Sequence, residues 1–308
     1  MKIIIELPSW LGDAVMATPA IENLIDQFLE PEITIVGPSF VIDALSNHPK
    51  ISHSIIFKKK YVHLYKTIKK LDSYDLFFSF RGSFRSKVSK FLISSKKKYQ
   101  YDKNKFKNQH QVEKYNNFIN DSLKIKSQAN KLVVTPDSKV SIQNNKILGI
   151  NPGASYGSAK RWYPKEFANV AIRLSEYYDI KIFGSPKEVD ISKEIEEFLI
   201  EHNINNYINL AGKTSIKQLI NEISSLDFLI TSDSGPMHLA AALQIPTVSI
   251  FGPTMANETS QWMNRKSLIV KKDLDCQPCM KRNCPLKHHN CMKMIKAADV
   301  LLAVNELN

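Results

Sequence analysis

The run Thr231-Ser232-Asp233-Ser234-Gly235-Pro236-Met237-His238 combines hydroxyls, a carboxylate, an imidazole and a Gly-Pro pair between two apolar stretches. Phe228-Leu229-Ile230 leads into it, Leu239–Leu243 follows, and Thr247–Phe251 is apolar again. The pattern predicts strand, tight turn, helix, strand. Ser or Asp before Gly-Pro suits a helix N-terminus, because its oxygen can cap free N–H groups and Pro has no N–H to satisfy. Such an end attracts phosphate. An ordinary well-capped βα turn is the competing reading. A second strand, Ile147–Ile150, runs into Asn151-Pro152-Gly153-Ala154-Ser155-Tyr156-Gly157-Ser158-Ala159-Lys160-Arg161-Trp162. Small residues and hydroxyls followed by two cations suit a pyrophosphate site, where Lys160 or Arg161 would neutralise a departing phosphate, and a solvated loop is the competing reading. A third strand-end turn, Gly184–Glu188, offers Glu188 as a ribose partner. Near the N-terminus, Pro8-Ser9-Trp10-Leu11-Gly12-Asp13 ends the first strand, and Asp13 is placed to serve as a general base. A first-turn carboxylate on the next helix is the plainer alternative. No G-x-G-x-x-G or P-loop pattern occurs at this turn.

Cys276-x2-Cys279-x4-Cys284-x6-Cys291, with His288-His289 inside it, is compact enough for zinc or an iron–sulfur cluster, although the spacing is not a standard zinc pattern. Buried thiols in a folded loop are the alternative, and no metal is assigned. Asp273-Leu274-Asp275 matches the short metal-holding D-x-D pattern weakly.

The elements that must position these residues alternate strand and helix along 308 residues, enough for two domains. Lys2–Leu7, Ile33–Val36, Ile55–Phe57 and Leu76–Phe80 read as strands, and Ala14–Phe28, Val62–Leu71, the stretch after Arg81 and Gln109–Asp121 as helices. Pro19 makes the start of the helix over 14–28 irregular. The polar stretch 137–146 suits a linker, which sets domains at 1–145 and 146–308. The second half alternates through helices over 164–177, 187–201 and 215–225 and strands over 180–183, 207–210 and 228–231, the pattern of a doubly wound parallel sheet. No apolar run approaches the roughly 20 residues that span a bilayer, and the start reads as a first strand of a cytoplasmic protein.

The formal charge of +12 is uneven: residues 1–145 carry 23 Lys and Arg against 13 Asp and Glu, and the rest 19 against 17. The excess concentrates between Lys58 and Lys107. Such a half prefers polyanions (nucleic acid, an anionic membrane face or a phosphorylated substrate), with solvated lysine the plainer reading of the run, and with no nucleic-acid module visible, nucleic acid is set aside as a partner.

In order and spacing, Pro8–Met16, Asn151–Ala154, Lys160-Arg161-Trp162 and Asp233–His238 resemble the ADP-heptose:lipopolysaccharide heptosyltransferases of glycosyltransferase family 9, across nearly the whole chain. The Pro-Ser-Trp-Leu-Gly-Asp turn and the Cys/His segment are most similar to the branch that adds the second inner-core heptose. The resemblance implies a GT-B fold, two Rossmann-like domains with a cleft between them, the first binding acceptor and the second ADP-heptose. It implies inverting transfer with no cofactor, Asp13 as base and Lys160 as the cation at the donor phosphates. Ser155, Tyr156, Glu188, Asp233, Ser234, Gly235 and His238 would complete the donor site. Ser83, Arg85, Ser86 and His110 would meet the acceptor, a Kdo-lipid A-type inner core. The basic half would then face an anionic inner-membrane surface, with the protein peripheral on its cytoplasmic side. A first-heptose or other core transferase is the nearest alternative, and a non-catalytic nucleotide-sugar-binding protein the alternative of another class.

Overall fold

Residues 1–137 and 145–307 are described by the computed structural model, and the chain divides into two compact units, Met1–Asp137 and Ser138–Asn308. The linker expected over 137–146 lies largely outside the described residues. Both units are open, all-parallel α/β sheets.

The first unit runs β1 (Lys2–Glu6), α1 (Leu11–Met16), α2 (Thr18–Ile25), β2 (Glu32–Gly37), α3 (Ser39–Leu45), β3 (His53–Ile56), α4 (Tyr61–Ile68), β4 (Tyr74–Ser79), α5 (Phe84–Leu92), β5 (Ser95–Gln100) and α6 (Gln111–Leu123). Its strand order is β3-β2-β1-β4-β5. Chain order therefore reverses beside β1, and its carboxyl end opens next to that of β4, where such sheets bind ligands. Ile4, Leu64, Ile68, Phe77 and Ile93 pack together on one side of the sheet. The helix expected over 14–28 is two helices. Pro19 cannot donate a backbone hydrogen bond and sits in the first turn of α2, and Ala17 joins the pieces. Thr18 bridges this joint, donating to Val15 O at 2.7 Å and accepting from Val133 N at 2.9 Å.

The second unit runs β6 (Ile147–Asn151), α7 (Pro164–Leu174), β7 (Asp179–Ile182), α8 (Val189–Glu201), β8 (Tyr207–Asn209), α9 (Ile216–Ser224), β9 (Phe228–Ser232), α10 (Gly235–Ala242), β10 (Thr247–Ile250), α11 (Ala256–Thr259), β11 (Ser267–Val270), α12 (Asn290–Lys293) and α13 (Ala297–Leu307). The order β11-β10-β9-β6-β7-β8 places its reversal between β6 and β9. In register, Asn151 stands beside Thr231 at the carboxyl ends of these two strands. Leu148, Ile150, Phe167, Ile182, Phe228 and Ile230 belong to its core. Gly149 leaves room in β6 for Leu226 and Leu229, since a Cβ there would come within 2.4 Å of Leu226 Cδ1 and 2.9 Å of Leu229 Cδ1 and displace them. Among the described residues no helix is long and apolar enough to cross a membrane.

One carboxylate is out of place for a core strand. Glu6, fully buried in β1, lies opposite Ser79 of β4 and accepts its hydroxyl hydrogen bond at 2.6 Å. Arg81 Nη1 stands 3.6 Å from the other oxygen, which has no hydrogen bond. Burial raises the Glu6 carboxyl above its ordinary value of 4.5, and Ser79 and Arg81 offset this only in part. The native state thus holds a proton more readily than the unfolded chain does. This contribution to stability is fully present below the unfolded value and is lost as pH rises through the raised one. Glu6→Gln should flatten this part of a urea-denaturation pH profile and match or exceed the parent's stability above neutrality. A variant that keeps the slope would contradict the assignment.

Candidate functional site

The carboxyl ends of β6 and β9 are tied by side chains. Asn151 Nδ2 donates to Thr231 Oγ1 at 3.0 Å and to Ser234 Oγ at 2.9 Å. Ser232 Oγ donates to Pro152 O at 3.1 Å. Ser234 occupies the N-cap of α10, but its hydroxyl does not cap: it donates to Ser232 O at 3.2 Å. This corrects the capping expected from Ser before Gly-Pro. The extended backbone at Ser234 and the Asn151 contact turn the oxygen back toward the strand, so the N-cap side chain makes no capping hydrogen bond to α10. His238 is buried one turn along the same helix.

 Asp233 and Lys160, 73 residues apart in sequence, are brought together with Nζ 2.5 Å from Oδ2. Neither side chain is more than 12% exposed. Thr254 donates to the same Asp233 oxygen at 2.6 Å. Lys160 also lies 4.9 Å from the centre of the Tyr156 ring, a cation–π distance, and Arg282 covers that ring at 5.4 Å. The lysine thus has a carboxylate and an aromatic partner holding it, and an ammonium has three N–H donors to share with an incoming anion.

The cysteine segment braces the loop that carries Lys160. Ala159 N donates to Arg282 O at 3.0 Å, and Ser158 Oγ to Asn283 Oδ1 at 2.9 Å. His289 Nε2 stands 3.0 Å from Ala159 O, and its Nδ1 3.3 Å from the Tyr163 hydroxyl. Gly157 is needed for this contact, since a Cβ there would meet Arg282 O at 2.3 Å. All four cysteines are free thiols and, with His288 and His289, line one small cavity beside Ala159. Burial and the neighbouring Cys284, Cys276 and Cys279 push the Cys291 thiol up to about 11. Among the described residues no three His, Cys, Asp or Glu side chains are arranged to hold a metal ion. Asp273 of the D-x-D pattern is exposed and pairs with Lys271.

Several expected donor contacts are used within the protein. The Tyr156 hydroxyl donates to Met280 O at 2.8 Å, so this residue offers its ring to Lys160 in place of the expected hydroxyl to phosphate. Glu188 is buried and accepts from Ser185 N at 2.8 Å, and its carboxylate fills the space over Gly153, where a Cβ would lie 2.3 Å from it. It braces the β6 turn where a ribose contact was expected. Ser155 is exposed on that turn.

In the first unit, Asp13 lies in the first turn of α1. Its charge reaches Tyr115 of α6, whose phenol is raised well above its ordinary value by burial first and by Asp13 second. Ser83 caps α5, accepting from Ser86 N. Ser86 departs from the acceptor role expected of it: it is fully buried, and its one hydroxyl proton is shared between Ser83 O at 2.7 Å and Arg81 O at 2.9 Å. His110 is likewise buried and caps α6, Nδ1 accepting from Val112 N at 3.2 Å, with Glu113 completing the capping box. The Arg85 guanidinium donates to the carbonyls of Lys58 and Lys59. Sequence reasoning missed Thr254 and the bridging role of Asn151. The signal for both was a polar residue just past an apolar strand, Phe251-Gly252-Pro253-Thr254 and Ile150-Asn151.

Comparison with known proteins agrees along the whole chain. The sequence model of glycosyltransferase family 9 (heptosyltransferase) matches residues 67–290. Lipooligosaccharide heptosyltransferase 2 of Campylobacter jejuni is 45% identical over 98% of this chain and 96% of its own. ADP-heptose lps heptosyltransferase II of E. coli superposes with a TM-score of 0.83 at 23% identity, covering 100% of this chain and 98% of that one. The E. coli heptosyltransferase WaaC, solved with ADP, superposes at 0.78 with 16% identity, and each chain is covered in full, 100%. The two-sheet α/β architecture is thus the GT-B type of these structures.

Removing one member of a buried ion pair strands the other charge and costs roughly 3–5 kcal/mol. Lys160→Met and Asp233→Asn should each lose stability on that scale in urea denaturation. The double variant, with no stranded charge, should lose clearly less than the sum. Additive losses would show that the two groups do not form a coupled pair.

Proposed function

Because the chain belongs to glycosyltransferase family 9, the heptosyltransferases, we propose that it moves L-glycero-D-manno-heptose from ADP-heptose to the inner core of lipopolysaccharide or lipooligosaccharide. The second heptose, added to heptosyl-Kdo-lipid A, is the transfer favoured by the likeness to the Campylobacter jejuni enzyme. The observation that carries the reading is Lys160 held by Asp233, the residue before the N-cap of α10, whose own side chain makes no capping hydrogen bond.

In this reading the second unit binds donor. The diphosphate lies against the backbone N–H groups at Ser234 and Gly235, where the helix dipole favours negative charge. Lys160 supplies the cation that meets the charge growing on the departing ADP. Asp233 fixes that cation, and His238 and Ser155 line the same site. Charge neutralisation by lysine and helix end calls for no cofactor. The first unit binds acceptor, with Ser83 and Arg85 on its side and Asp13 as the base that removes the acceptor hydroxyl proton. Attack opposite the leaving ADP inverts the anomeric centre. The acceptor is lipid-anchored, so we place the reaction at the cytoplasmic face of the inner membrane, with the protein peripheral there.

ADP release should follow mixing with ADP-heptose and a one-heptose acceptor, and be far slower with a heptose-free acceptor. Faster release with the heptose-free acceptor would reassign the chain to first-heptose transfer, and release with neither would remove the enzyme reading. Asp13→Ala should lower turnover by about two to four orders of magnitude, with ADP affinity unchanged in calorimetry. Turnover near the parent's would remove Asp13 as the base.

A further inference from the structure

Helix α5 is amphipathic the wrong way round for a soluble helix. Its fully buried side chains are Ser86 and Ser89, while Phe84 and Phe91 are 75% and 83% exposed. Seven residues apart, these two rings lie on one stripe. Neighbouring α4 buries Leu64 and Ile68 and exposes Tyr61, Tyr65 and Val62, the last at 64%. The two helices are adjacent: Arg85 donates to the carbonyls of Lys58 and Lys59 and sits 5.4 Å from the centre of the Tyr61 ring.

Charge on these segments has one sign. Residues 57–71 and 80–101 hold 13 Lys and Arg and no Asp or Glu. Lys66, Lys69, Lys70 and Lys87 are exposed around the apolar side chains. Protruding aromatic and aliphatic groups ringed by lysine are the composition of an interfacial surface that enters the headgroup region of a bilayer. Nucleic acid would account for the lysines but not for Val62, nor for two phenylalanines turned out of a helix whose fully buried side chains are serines.

We propose that the α4–α5 face is the surface by which the protein lies on an anionic phospholipid bilayer. Phe84, Phe91 and Val62 enter the headgroup–acyl boundary, and the lysines hold acidic headgroups. Ser83, the cap of α5, adjoins this face, which brings the acceptor side of the first unit to the lipid. The inference rests on the transferase reading for the identity of the membrane, but its test uses no sugar substrate, so the two fail separately.

The full chain should cosediment with vesicles of equimolar phosphatidylglycerol and phosphatidylcholine, weakly with phosphatidylcholine alone, and less as salt rises. Phe84→Ser with Phe91→Ser should weaken vesicle binding roughly tenfold at unchanged net charge. Lys66→Ala, Lys69→Ala and Lys87→Ala should each cost about fivefold at low salt. Urea-denaturation midpoints and far-UV circular dichroism matching the parent's would show that these variants are folded. In Phe91→Trp, brominated acyl chains should quench the fluorescence added by the new indole. Absence of vesicle binding, binding indifferent to the two phenylalanines, or preferential binding of a homopolymer RNA would overturn the proposal.

Discussion

The buried pair of Lys160 and Asp233 is the interaction on which the second unit's site depends. A lysine held at 2.5 Å from a carboxylate of 4% exposure cannot swing freely, and the pair is tolerable in the interior only because other groups complete it. Thr254 satisfies the carboxylate from the end of β10, and Tyr156 covers the ammonium from the β6 turn. The loop bearing Lys160 is then fastened from outside by Arg282, Asn283 and His289. The cysteine-rich segment gains a structural reason for its place: it sets where the cation stands.

The same topology recurs in the first unit with different chemistry. Each sheet reverses strand order beside a central strand, and in each the chemically distinctive residues follow the carboxyl ends of the two strands at that reversal. In the second unit those turns hold small residues, hydroxyls and Lys160, fit for a diphosphate. In the first they hold Asp13, fit to accept a proton, and the arginine-bearing turn after β4. Arg81 follows β4 with its guanidinium 3.6 Å from the buried Glu6 carboxyl, a looser pairing than that of Lys160 with Asp233.

Much of this was legible because strand and helix periods are strong signals and because strand-end turns are marked by Gly, Pro and hydroxyl residues. Asp13, Lys160, Asp233 and Gly235 were all visible as such turns. What was not legible depended on tertiary contacts. Lys96-Lys97-Lys98 reads as a solvated run, yet it lies in β5, an edge strand, where lysine blunts an exposed edge. Short α3 and β11 carry too few residues for a clear period. Ser86, His110 and Glu188 are residue types that serve ligands and caps equally, and only their burial shows that they serve the fold here. No sequence period could reveal that Tyr156 gives its ring, and not its hydroxyl, to the site.

A crystal structure of the protein with ADP bound tests the central claim most directly. The account predicts diphosphate oxygens on the backbone N–H groups at Ser234 and Gly235 and on Lys160 Nζ, with Asp233 still bound to Lys160 and Thr254. A diphosphate seated away from α10, with the Lys160–Asp233 pair untouched by it, would contradict the account.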